Sequence, residues 1–368
     1  MTDLIKFLST NSPAALGLSI AFLIAGITIS ILYTVAFAQG RSISFWPPSI
    51  GEKPASRAPD QSKDAKGSID DAQRVNQLAE PQNPIVDRGT VLRGASGRSY
   101  RITSTYYGGA NATLYKALDP EGSIVIAKVF WRGLAPNSPS WELFQQEQRT
   151  AEILSHRNIV KTLDRGLRSG YPFTVMEYLG GGTLRDWLRT HHRLPGRDIL
   201  SVASQLADAI DYAYSQGVIH RDIKPGNVLF EAGPEGRVAL SDFGIAAIMG
   251  AVERDITAVG GEFSGTPGYI APEVIQGVQP TRQADVYGFG VVLYEMISGC
   301  VPFGESGEVM AFLRAKVERD APDVRQFRPE VDDAIAVRLS QALAREPALR
   351  PASARGVLTG IEDQLRNL

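Results

Sequence analysis

Apolar and polar positions change rhythm several times along this chain, and each change predicts an element. Residues 14–38, AALGLSIAFLIAGITISILYTVAFA, are apolar or small almost throughout and carry no charge. At about 1.5 Å per residue a helix over that run reaches roughly 37 Å, enough to cross a hydrocarbon core of about 30 Å with some tilt. After a tail of residues 1–13, a single membrane span is therefore expected over 14–38. The competing expectation is a cleaved signal peptide, because Lys6 precedes the run and Ala36, Phe37 and Ala38 form a small-x-small pattern. A signal-peptide core usually runs only about 7 to 15 residues, which favours the span. Arg41, Lys53 and Arg57 follow the run, whereas Lys6 stands with Asp3 before it. Flanking cations resist translocation, so the C-terminal side is expected to be cytoplasmic.

From 39 to 88 the apolar rhythm stops. Pro, Ser, Asp, Lys and Gln dominate PPSIGEKPASRAPDQSKDAKGS, which has too few apolar side chains to offset the entropy of ordering a backbone, so a flexible tether is expected. Strand composition then takes over: SYRITSTYY and SIVIAKVFW are rich in β-branched and aromatic residues beside turn-forming glycines. A helical period follows in WELFQQEQRTAEILSH, where Phe144, Glu147, Ala151 and Leu154 share a face. Glu147 is a carboxylate inside an apolar stripe and needs a partner.

Beyond YPFTVMEYLGGGTL the chain reads as mostly helical. Ile199, Val202, Ala203, Leu206, Ile210 and Ala213 form one stripe that Gly217 ends. ADVYGFGVVLYEMISG is apolar on nearly every side, which predicts a buried central helix. The expected layout is a strand-rich lobe over 89–179 and a larger helical lobe over 180–368, with ligands in the cleft between them.

Composition narrows this only a little. Of 368 residues 43% are apolar, which excludes disorder throughout. Thirty-eight Lys and Arg against forty Asp and Glu give a formal charge of −2, so nothing favours a nucleic-acid partner. The single cysteine, Cys300, has no disulfide partner within the chain and is expected to be a buried structural thiol. No repeat at solenoid or propeller periods is present.

Chemistry concentrates in HRDIKPGNVL, residues 220–229, which packs an acid, two bases and an amide into ten positions. Around it stand Lys128 in VIAK, Glu147 on the following helix, Asp242 in SDFG, APE at 271–273, Asp285 in DVYGFG and Arg350 in EPALRP. That ordered series resembles the protein kinase superfamily, over about residues 89 to 360. Lys224 in HRDIKPGN and the run GTPGYIAPE resemble its serine/threonine branch, of the bacterial type.

The resemblance implies a bilobal α+β kinase fold, and phosphoryl transfer from Mg²⁺·ATP (Mn²⁺ as an alternative ion) to Ser or Thr hydroxyls of protein substrates. Little covalent chemistry falls to the protein in such a reaction; it positions groups and neutralises charge. By resemblance, Asp242 and Asn227 hold the metal, Lys128 contacts the α and β phosphates, and Glu147 pairs with Lys128. Asp222 accepts or orients the substrate proton, and Lys224 offsets charge on the transferred group. Tyr106, Gly108, Gly109 and Leu114 are expected at the nucleotide, with Glu177 and Leu179, just after Met176, offering backbone groups to adenine. His220 is expected to pack rather than to titrate, Glu273 and Arg350 to form a structural ion pair, and Asp285 to accept backbone hydrogen bonds from the catalytic loop.

One motif departs from the family. Where G-x-G-x-x-G is expected, the chain has Tyr107, Gly108, Gly109, Ala110, Asn111 and Ala112, with only Gly109 on pattern. Side chains there hinder the approach of backbone N–H groups to phosphates. A membrane-anchored pseudokinase, a weak nucleotide-binding scaffold, is thus the alternative to an enzyme. Between Asp242 and Glu273 lie Gly250, Gly260, Gly261 and Gly265, so a mobile control segment is expected, with Thr257 or Ser264 as an autophosphorylation site that Arg221 could pair. A signal would reach such a chain by homodimerisation, through a partner or through the bilayer.

Overall fold

The computed structural model describes residues 86–108, 112–131, 142, 144–145, 153–243, 267–304 and 309–368. The expected span at 14–38, its flanking tail, nearly all of the tether, Gly109, Glu147, Thr257 and Ser264 lie outside the described residues. Among the described residues, no helix is long and apolar enough to cross a membrane.

The first lobe is built on one antiparallel sheet of six strands in the order β1-β2-β3-β4-β6-β5. The strands are β1 Val91–Arg93, β2 Ser99–Gly108, β3 Ala112–Leu118, β4 Ile124–Phe130, β5 Thr162–Arg168 and β6 Tyr171–Glu177. Both runs expected as strands are present, as β2 and β4. Side chains alternate across a strand, and this two-residue period sorts β4 into two uses. Val125, Ala127 and Val129 enter a core with Leu92, Tyr100, Ile102, Tyr115, Phe173 and Val175. Ile126 and Lys128 face the other way, and Ile126 joins Val160, Met176, Leu179 and Ala239 in a second apolar cluster. Val86 already packs in the first core, where its N–H donates to the Tyr115 hydroxyl at 3.1 Å. Phe144 and Leu154, expected on one helix face, are both buried, and Phe144 meets the Phe130 ring edge-on at 5.7 Å between centroids.

The second lobe holds α1 Leu184–His191, α2 Gly196–Ser215, α3 Pro272–Ile275, α4 Arg282–Ser298, α5 Val309–Glu318, α6 Asp333–Ala342, α7 Ala354–Leu358 and α8 Glu362–Arg366. A short hairpin, β7 Val228–Phe230 with β8 Val238–Leu240, lies between α2 and α3 in the chain. All six apolar positions of the expected α2 stripe are buried. In α4, twelve of seventeen residues are buried, as its lack of a polar face predicts. Gly299 ends it in the left-handed conformation, φ 83°, with its N–H on the Glu295 carbonyl.

Cys300 corrects an expectation: it is half-buried, not buried. It follows the Gly299 cap, where the chain has already turned out of the core, and its thiol lies 3.7 Å from the Ser298 hydroxyl.

Candidate active site

The HRDIKPGN loop is fixed from three sides. Asp285, near the start of α4 and 4% exposed, accepts from the His220 N–H at 2.7 Å and the Arg221 N–H at 2.8 Å. Burial raises the Asp285 carboxyl above the ordinary range, and His220 and the two backbone donors pull against that rise. Arg221 itself adopts φ 70°, a conformation that costs a non-glycine residue roughly 1 kcal/mol or more, and the bond to Asp285 holds it there. On the second side His220, 1% exposed, accepts the Asp222 N–H on Nδ1 and donates from Nε2 to the Ser241 carbonyl at 2.8 Å. Its ring meets Phe243 edge-on at 4.5 Å. His220 is thus a bracket between the loop and the DFG segment. The third contact is steric: a Cβ on Gly288 would stand 3.2 Å from Ile223 Cβ, so glycine in α4 lets the loop lie close.

The groups expected to react sit on this frame. Asn227 donates through Nδ2 to the Asp222 carbonyl at 2.7 Å and to its Oδ2 at 2.9 Å, and Lys224 Nζ lies 2.6 Å from that Oδ2. The Asn227 carbonyl accepts the Ser241 N–H at 2.9 Å, which ties it to the residue before Asp242. Asp242 has φ 68°, and its Oδ1 lies 2.7 Å from Lys128 Nζ on β4. Burial would raise the Asp242 carboxyl, but Lys128, His220 and Lys224 together hold it below the ordinary range. The structure therefore brings Lys128, Asp222, Lys224, Asn227 and Asp242 to one place from both lobes. Lys128 and Asp242 are 114 residues apart in the chain.

Asn227 and Asp242 suit a hard cation. With both Nδ2 bonds committed to Asp222, the Asn227 amide oxygen has no donor among the described residues, and Asp242 keeps Oδ2 beside the oxygen on Lys128. Two oxygen donors of this kind fit Mg²⁺, which retains waters and shares phosphate oxygens rather than needing an all-protein cage. Among the described residues no group of three or more His, Cys, Asp or Glu forms such a cage.

Where the sequence places the nucleotide, Met176 and Leu179 are buried in the second apolar cluster, with Leu114, Tyr178 and Leu229 packed against it. The cluster runs from the sheet to the β7–β8 hairpin, so it lines the passage between lobes. Among the described residues nothing accepts the Leu179 N–H, which leaves it available to a ligand. The Glu177 carboxylate binds Arg237 through both oxygens, at 2.7 and 2.9 Å, and also accepts the Lys161 N–H. Burial opposes this charge, yet the Arg237 pairing brings the Glu177 carboxyl below its usual value. Tyr106 and Gly108 end β2. The Tyr106 ring meets Tyr178 edge-on at 5.9 Å, and Lys116 Nζ lies over both rings while donating to the Tyr178 hydroxyl at 3.1 Å. Sequence reading missed Lys116, Tyr178, Leu229 and Arg237. Only Leu229 carried a signal, its position two residues after Asn227.

The structural ion pair is present too. Arg350 meets Glu273 through two 2.7 Å bonds, with side chains 0% and 9% exposed. A pocket beside Asp222 is walled by Ile223, Tyr269, Ile270, Ala271, Val274 and Gly288, so the segment leading to Glu273 borders the Asp222 carboxylate.

Comparison with known proteins gives the same reading. Residues 107–358 match the family described as protein kinase domain. PknK of Mycobacterium tuberculosis, a serine/threonine-protein kinase, is 37% identical over 266 residues, which cover 70% of this chain and 23% of that protein. The probable serine/threonine-protein kinase pknA2 of Bifidobacterium longum is 34% identical over 68% of this chain and 33% of its own length. PrkC of Bacillus subtilis, also a serine/threonine-protein kinase, is 30% identical over 73% and 40% respectively. The chain thus matches between about a quarter and two fifths of the length of these relatives. Among solved structures, the kinase domain of M. tuberculosis PknI aligns with a TM-score of 0.60 at 25% identity, over 76% of this chain and 99% of that one. With Lys128, Asp222, Lys224, Asn227 and Asp242 brought together and residues 107–358 matched to the family's domain, the chain belongs to the protein kinase family.

Proposed function

We propose that this chain is a serine/threonine protein kinase that transfers the γ-phosphoryl group of ATP to hydroxyls of protein substrates. The observation that carries the reading is the Lys128–Asp242 bridge between lobes, closed over the Asp222–Lys224–Asn227 cluster. Asn227 and Asp242 would hold Mg²⁺, which when bound would offset charge on the phosphates. Lys128 offers its ammonium to phosphate oxygens, and the Leu179 N–H is a donor for the base. Asp222, held by Asn227, takes the hydrogen bond of the acceptor hydroxyl, and Lys224 stands beside it to offset charge on the group in transit. Retention of every charged group this chemistry needs favours catalysis over a scaffold role, despite Tyr107 and Ala112 in place of glycines.

The test is transfer of labelled phosphate to a generic acceptor protein, followed by phosphoamino-acid analysis. Label on serine or threonine that is lost in Lys128→Met supports the reading; label on tyrosine, or none, contradicts it.

The same proposal includes a membrane anchor over 14–38 with the kinase lobes in the cytoplasm, where ATP is available. Twenty-five uncharged residues followed by Arg41, Lys53 and Arg57 support it. Retention in the membrane fraction after an alkaline wash is expected, and mature protein cut after Ala38 would contradict it.

A further inference from the structure

α1 carries an unusual amount of positive charge for an element beside the reacting loop. Its sequence, the turn after it and the start of α2, LRDWLRTHHRLPGR, contain Arg185, Arg189, Arg193 and Arg197. Most of these are exposed, but Arg185 is half-buried. The helix itself is firmly set: Thr183 and Asp186 form a reciprocal capping box, and Leu184 and Leu188 are buried on either side of Arg185. Asp186, the nearest carboxylate in sequence, is occupied by that cap. Among the described residues the Arg185 guanidinium has neither an ion pair nor a hydrogen bond.

Its position shows what the charge can reach. A Cβ built on Gly226 would stand 3.4 Å from Arg185 Nε, 3.9 Å from Nη2 and 4.0 Å from Cζ, so the guanidinium lies against the backbone of the catalytic loop. Gly226 does not need glycine for its backbone, since its φ is not positive. Those are ordinary contact distances, so the Arg185 side chain packs beside Gly226, which is one residue from Asn227 and two from Lys224. Residues 269–271 and Val274 wall Asp222 through the pocket described above. Arg185 sits on a different element, so α1 and the segment around Tyr269 border the same loop separately.

We propose that Arg185 is a specificity-determining residue that selects a carboxylate or phosphorylated side chain flanking the acceptor Ser or Thr, and rejects a basic one. A guanidinium with free donors binds a carboxylate or phosphate in a two-pronged contact. Lys224 and Arg189 add charge of the same sign nearby, so a lysine or arginine of the substrate at this flank meets repulsion. The inference rests on the kinase reading above.

The test is a peptide series built on one Ser-containing sequence, with Glu, phosphoserine, Ala or Lys placed at each flanking position in turn. The readout is kcat/KM for each peptide relative to the Ala peptide, within each protein. Wild type is expected to prefer Glu over Lys at one or more positions by on the order of tenfold, expressed in the peptide KM. In Arg185→Glu the order of Glu and Lys at those positions should reverse, and Arg185→Lys should keep a weaker form of the original order. An unreversed order in Arg185→Glu, no charge preference in wild type, or an effect confined to the KM for ATP would each overturn the assignment. Absence of transfer to every peptide and to a generic protein would instead remove the kinase reading, and this inference with it.

Discussion

The buried Glu273–Arg350 pair offers a quantitative test of how the substrate-side segment is held. A guanidinium has five N–H donors, and Arg350 uses all of them. Nε reaches the Ala344 carbonyl, Nη1 reaches Glu273 and the Gln283 carbonyl, and Nη2 reaches Glu273 and the Arg345 carbonyl, all between 2.7 and 3.2 Å. The cation also lies 4.9 Å from the centre of the Tyr287 ring. Arg350→Ala would leave a carboxylate and three carbonyls without this donor in a site closed to water, a loss of about 3–5 kcal/mol. Domains are stable by only about 5–15 kcal/mol, so the melting temperature should drop by on the order of 10 °C. The double variant Arg350→Met with Glu273→Leu removes both charges and keeps much of the volume, so it should recover most of the loss. Urea unfolding of wild type, Arg350→Met, Glu273→Leu and the double variant gives the coupling directly. A single-variant loss under about 1 kcal/mol, or a double variant no better than Arg350→Ala, would refute the reasoning.

Other parts of the account make separate predictions. Burial pushes the Lys316 ammonium down to about 7, while its Nζ donates to the Gly268 carbonyl. Between about pH 7 and the ordinary lysine value near 10.4 the unfolded chain holds a proton that the folded chain has released, so this residue makes stability rise with pH across that window. Lys316→Met should remove that rise, a difference on the order of 5 kcal/mol between the two ends of the window in urea unfolding; parallel profiles would contradict it. Asp285→Asn leaves one acceptor for two loop N–H donors and should cost about 1–3 kcal/mol along with a fall in kcat, measured by unfolding and steady-state kinetics. The Lys116 cation on two tyrosine rings should steady β2 over the strand end at Glu177, so Lys116→Met should raise the KM for ATP by roughly threefold, in line with about 0.5–1 kcal/mol per such contact.

The sequence was most legible where one period or one motif decides. α2 and α4 followed from their apolar faces, and β2 and β4 from β-branched and aromatic runs. β3, ATLYKAL, and β5, TLDRGLR, escaped because Ala, Lys, Asp and Arg dilute the strand composition; they are strands because a neighbour in the sheet pairs with them. At the site, the motifs named Asp222, Lys224, Asn227, Asp242 and Asp285 with their surroundings. They did not show that Asn227 spends its amide on Asp222, or that Arg237 clamps Glu177 and Lys116 bridges two tyrosines. Those contacts join elements distant in the chain, and one sequence has no local pattern for which surface charge meets which. Arg185 was invisible for the same reason: its meaning comes from Gly226, 41 residues away in sequence and in van der Waals range in space.

The central claim is that groups from both lobes converge on one phosphoryl-transfer site with Asp222 as the acceptor of the substrate proton. The most direct measurement pairs nucleotide affinity with phosphate transfer in wild type and Asp222→Asn. The account predicts that ATP·Mg²⁺ affinity stays within a few-fold while transfer falls by about 10² to 10⁴. Equal transfer by the two proteins would contradict it.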